Sequence, residues 1–196
     1  MQTNRWAAGM LLVLAASGQA QNLVQNPDFN SDISGWTATG SASWNNSLNS
    51  PDSPPGGSAE LYAAAGAGYV MLVQCVAISN VASSLSLTTE AYLFSDATNT
   101  TTPYAIVTAA YADPGCTDAV SYNDGVDISG EPVVANAWSR LSNAFVAVPA
   151  GYTSLSITIK TAGGLDVGHV AFDHIELTQV TDRVFGTGFE SNEGYQ

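Results

Sequence analysis

The chain has 196 residues, and 17 acidic against four basic side chains give it a formal charge of −13. Phosphate backbones and anionic membrane surfaces are held by Lys and Arg, so this balance speaks against both as partners. It favours solubility and tolerates hard cations such as Ca²⁺.

The first twenty residues read as a secretory signal. Arg5 is their only charge, an apolar run from Trp6 to Ala16 follows, and Gly18-Gln19-Ala20 supplies a small-x-small cleavage pattern. The apolar run is too short to cross a hydrocarbon core of about 30 Å as a helix. The mature chain is expected to begin at Gln21 and to be extracellular or periplasmic. It would keep Arg140, Lys160 and Arg183 against all 17 acids, a net −14. Its length suits a single domain with a sizeable core.

Past residue 20, Ser, Thr, Ala, Val and Gly dominate, a composition that suits strands and turns better than exposed helices. Period-two alternation predicts strands over 35–45, 58–63, 68–78, 83–95, 103–112, 137–148, 153–161 and 168–178. In 153–161, Leu155, Ile157 and Ile159 share one face, with Ser154, Ser156, Thr158 and Lys160 on the other. In 83–95, Leu85, Leu87, Ala91 and Leu93 oppose Ser86, Thr88, Glu90 and Tyr92. Turn chemistry separates the strands: Pro51 to Gly57, Asp113-Pro114-Gly115, Asn123-Asp124-Gly125 and Gly163-Gly164. The expected architecture is an all-β, two-sheet antiparallel β-sandwich of the jelly-roll kind over 21–179, with a tail over 180–196.

The last strand carries a phase slip. Val170 and Phe172 share one face while Ile175 and Leu177 occupy the opposite phase. Burying all four on one side requires a β-bulge near Asp173. Cys75 and Cys116, the only cysteines, read as one disulfide in an exported chain. The alternatives are two free buried thiols or half of a metal site, neither supported by a second ligand pair.

Several stretches, taken in order, resemble carbohydrate-binding modules with a galactose-binding-like jelly roll. They are Asn26-Pro27-Asp28-Phe29-Asn30 with Gly35-Trp36, then Trp138 with Val148-Pro149-Ala150-Gly151, and finally Phe172-Asp173-His174-Ile175-Glu176-Leu177. The resemblance covers residues 22–178. It implies a secreted, non-catalytic binding module with a glycan or cell-surface polymer as partner. It also implies a structural Ca²⁺ held partly by Asn30 and Asp173. Asn30 stands where such modules carry glutamate, which removes a charge and should weaken that site. The alternative role for Asp173 is to accept backbone amides and hold the bulge. The Val184–Glu190 stretch resembles a short ending on some secreted bacterial proteins.

Signals for catalysis are sparse. His169 and His174 fall on opposite strand faces unless the bulge intervenes, so they do not read as a zinc pair. No Gly-x-Ser-x-Gly elbow is present. Asp113, Asp118, Asp124, Asp127 and Glu131 cluster in one loop region that reads as a solvated acidic stretch. A sugar site needs an exposed aromatic plane flanked by hydrogen-bonding groups. Glu90 and Tyr92, on the polar face of their strand, are the first candidates, followed by Tyr111 and Trp44. Trp36 and Trp138 are assigned to the core. A structural or adhesive surface protein without a sugar site is the competing reading.

Overall fold

The computed structural model describes residues 21–95, 104–117, 134–162 and 167–181. The signal segment, most of the acidic loop and the tail beyond Thr181 lie outside the described residues. Nine strands are present among the described residues: β1 (Thr37–Thr39), β2 (Ser41–Asn45), β3 (Ser58–Ala63), β4 (Tyr69–Ala77), β5 (Ser83–Leu93), β6 (Tyr104–Tyr111), β7 (Trp138–Val148), β8 (Ser154–Ala162) and β9 (Gly168–Thr181). They form a four-stranded sheet, β1-β4-β8-β6, and a five-stranded sheet, β2-β3-β9-β5-β7, with antiparallel pairing throughout.

The sandwich follows from the alternation. Along β4, Val70, Leu72, Gln74 and Val76 are buried, while Tyr69, Met71, Val73 and Cys75 are more exposed. Leu61 of β3, Leu85 and Leu87 of β5, Ile157 and Ile159 of β8, and Phe172 of β9 meet Phe29 and Trp36 in one core. Gln74 is the polar exception on that face, and its amide is fully used. Its Oε1 accepts from the Gln25 backbone N–H at 2.7 Å, and its Nε2 donates to the carbonyls of Gln25 and Gly35 at 2.9 and 3.1 Å. It pins the chain entering the sandwich, which satisfies a buried group that would otherwise be costly.

Two expectations are adjusted. The single strand over 35–45 is two strands in different sheets, because Gly40 adopts φ +82° and turns the chain between layers. A Cβ there would meet Val70 Cγ2 at 2.8 Å, so both backbone angle and space favour glycine. The closing strand also continues to Thr181, paired with Ser83, past the expected strand end at 178.

The phase slip is present as a bulge. Thr88 pairs with Glu176 but Glu90 pairs with Asp173, so β9 carries an extra residue, and His174 takes φ +48°. Val170, Phe172, Ile175 and Leu177 are all buried as a result. The Cys75–Cys116 disulfide is formed across 5.9 Å between Cα atoms, tying β4 to the turn after β6.

Candidate functional site

The outward face of the five-stranded sheet carries what the core does not. At one end of this face the outward positions on β5 are Glu90 and Tyr92, with Phe94 just past the strand end, and on β9 they are His169, Ala171 and Asp173. The register aligns them in rows across strands. Glu60, Ala171, Tyr92 and Trp138 form one row over β3, β9, β5 and β7. Tyr62 and His169 form the next row, and Asp173, Glu90 and Arg140 lie on the other side.

Five rings form a continuous chain along this face. Tyr62 meets His169 edge-on at 5.4 Å between centroids, and His169 stacks on Phe94 at 3.8 Å. Phe94 meets Tyr92 at 5.1 Å, and Tyr92 meets Trp138 at 5.5 Å. Such tilted and stacked geometries are those that ring quadrupoles favour. The small Ala171 lies in the row between Glu60 and Tyr92, leaving the bulk to the rings.

Polar groups hold the platform in place. Glu60 Oε1 pairs with His169 Nε2 at 2.8 Å, and Glu60 Oε2 accepts from Asn45 Nδ2 at 2.6 Å. These contacts fix the His169 ring plane that stacks on Phe94. Glu90 is 4% exposed. Burial, and then the nearby Asp52 carboxylate, push its pKa up, against the pull of Arg140 and His174.

The segment between β2 and β3 crosses this face beside the rings, and Asp173 anchors it. Fully buried, Asp173 accepts from the Ser50 N–H at 2.9 Å, the Ser53 hydroxyl at 3.1 Å and the His174 N–H at 2.8 Å. Desolvation nevertheless raises its pKa to about 6. Further along the segment, Asp52 reaches Arg140 at 4.0 Å.

This geometry bears on calcium. A Ca²⁺ ion needs a cage of oxygens, whereas the Asp173 oxygens face N–H and O–H donors. Asn30 is exposed, with its side chain against Gly56. Among the described residues, no three His, Cys, Asp or Glu side chains are placed to share a metal ion. Asn30 and Asp173 therefore do not fit the ion as they stand, and Asp173 instead has the geometry of a clamp on the bulge and the crossing segment.

The expected site residues separate. Glu90 and Tyr92 belong to the platform. Tyr111 does not, since it ends β6 in the other sheet. Trp44 pairs with Ala59 on the core-facing side, where its indole N–H donates to the Phe29 carbonyl at 2.7 Å and its ring packs on Gly57. It is a half-exposed lid on the core edge. Trp36 is buried against Phe29, as expected. Trp138 leaves the core assignment, because its register partner is Tyr92. The sequence does hold that signal: Trp138 and Arg140 share a phase opposite to Leu141. Glu60, Tyr62, Phe94 and His169 were missed because cross-strand neighbours are not readable from one strand at a time. His174 sits apart on the bulge, with its Nδ1 on Asp28 at 2.9 Å.

No family model matches the chain, and no curated protein does. Solved structures match in fold. The enzymatically active domain of the bacteriophage CBA120 tailspike protein 4 aligns over 81% of this chain at 19% identity and a TM-score of 0.60; the match covers 21% of that solved chain. A family 16 carbohydrate-binding module aligns over 80% of this chain and 99% of its own length, at 15% identity and TM-score 0.55. The module TmCBM61, solved with β-1,4-galactotriose, aligns over 82% and 100%, at 13% identity and TM-score 0.53. The fold is thus a β-sandwich jelly roll, which these carbohydrate-binding modules share.

Proposed function

We propose that this protein is a secreted, non-catalytic module that binds a glycan along the ring platform. The observation that carries the reading is the chain of five rings crossing four strands of one sheet face. Three inter-strand steps of about 4.8 Å make the platform about 14 Å wide, a span for an oligosaccharide rather than a single sugar. Apolar C–H faces of sugar rings pack on aromatic planes, and hydroxyls need acceptors at the rim. Glu90 supplies such an acceptor beside Tyr92. The fold-sharing modules, one of them solved with β-1,4-galactotriose, support the ligand class.

Binding is favoured over glycoside hydrolysis, which uses two carboxylates flanking one bond. On this face Glu60 is held by His169 and Asn45, Asp173 by Ser50, Ser53 and His174, and Asp52 by Arg140. Export through residues 1–20 belongs to the same reading and is checked by sequencing the N-terminus of secreted protein, with Gln21 expected first.

Affinity electrophoresis against xylan, galactan, glucan and chitosan gels tests the binding. Trp138→Ala and Tyr92→Ala should each weaken retardation about 30-fold, the equivalent of about 2 kcal/mol for a central anchor. Their far-ultraviolet spectra should match the wild type. Retardation unchanged in both variants would remove the platform from the function. Binding of no glycan by the wild type would favour the structural or adhesive reading.

A further inference from the structure

Resting on that reading, we infer that the sugar unit seated at the Glu90 end of the platform carries a protonated amine. The ligand class is then a glycan with free amino groups, rather than a neutral or acidic one. The argument starts from an unmet carboxylate. Glu90 is 96% buried on the outward face of β5, and its carboxylate accepts no hydrogen bond and forms no ion pair among the described residues. Among the described residues, the side-chain oxygens sealed from solvent without a partner are those of Asn49, Ser58 and Thr88. Glu90 is not one of them, so its carboxylate keeps a path to the surface. A buried carboxylate without a donor is costly, and a ligand that supplies the donor recovers that cost.

The protein's own cations are directed elsewhere. Arg140, the cross-strand partner of Glu90, is half exposed and turns toward Asp52. His174 gives its Nδ1 to Asp28. The other charged neighbours of Glu90 are the carboxylates of Asp52 and of Asp173, its partner on β9. A uronate or sulfate would meet net repulsion here. A hydroxyl could donate a single hydrogen bond to the carboxylate. An ammonium would bring up to three N–H donors and an opposite charge to the same acceptor. The adjoining faces of Tyr92 and Trp138 attract cations as well.

Calorimetric titration with the hexamers of glucosamine, N-acetylglucosamine and glucose, at a pH where the amines are protonated, separates these ligands. The expected result is a preference of about tenfold or more for the glucosamine hexamer. That preference should vanish in Glu90→Gln and weaken in Asp52→Asn, whose exposed site leaves folding untouched if the first variant proves unstable. Equal affinities, or tighter binding of either neutral hexamer, would overturn the inference while leaving glycan binding in place. A preference that survives both substitutions would reflect bulk attraction to an acidic surface and would also overturn it. If no hexamer and no other glycan binds, the platform reading fails and takes this inference with it.

Discussion

Replacing both cysteines, as Cys75→Ser with Cys116→Ser, is expected to lower the unfolding free energy by about 4 kcal/mol. The disulfide spans a sequence separation of 41 residues, and closing such a loop in the unfolded chain removes entropy on that scale. The folded turn it reaches is already held by other bonds. Asp113 accepts from the N–H groups of Gly115 and Thr117 and from the Thr117 hydroxyl, and Ser154 Oγ donates to the Asp113 carbonyl at 2.6 Å. Thr153 Oγ1 donates to the Ala112 carbonyl at 2.7 Å. The loss should therefore come mainly from the unfolded state, with the native fold retained. Urea unfolding of oxidised wild type and the double variant measures this. A difference below about 1 kcal/mol would show that the cross-link adds nothing to bonds already present. Two titratable thiols in the unreduced, denatured wild type would show that the bridge does not form.

Asp173→Ala is expected to cost about 2–4 kcal/mol at pH 4, because it strands the buried N–H groups of Ser50 and His174 and frees the crossing segment from the bulge. The cost should depend on pH in a defined direction. Burial raises the folded-state pKa of Asp173 from 3.8 to about 6, so between those values the folded chain holds a proton that the unfolded chain releases. The group's contribution is fully present below the unfolded value and is lost as pH rises through about 6, an effect of about 3 kcal/mol. The gap between wild type and variant should therefore narrow from pH 4 to pH 7. A gap that widens over that range would mean that the ionised form is the one stabilised. Melts of the wild type in EDTA and in millimolar Ca²⁺ should superimpose if Asp173 is a clamp. A calcium-dependent rise that Asp173→Ala abolishes would return it to the role of a ligand.

What the sequence determined by itself was local. Alternating apolar residues fall on one side of any extended chain, so the strands near 58–63, 83–93 and 154–162 were legible without partners. The slip between Phe172 and Ile175 was legible for the same reason, since only an extra residue can bury both phases. Two cysteines in an otherwise unpaired set allowed one bridge. Tertiary structure decided what no single strand contains: which strands lie side by side. The register of β3, β9, β5 and β7 brings Tyr62, His169, Tyr92 and Trp138 onto one face from four distant parts of the chain. The two tryptophans show why this cannot be read locally. Trp44 and Trp138 each lie on an edge strand of the same sheet, yet one is paired across the ladder with Ala59 on the inner side and the other with Tyr92 on the outward face. An aromatic ring suits either face of an edge strand, so only the neighbour across the ladder determines which face it takes.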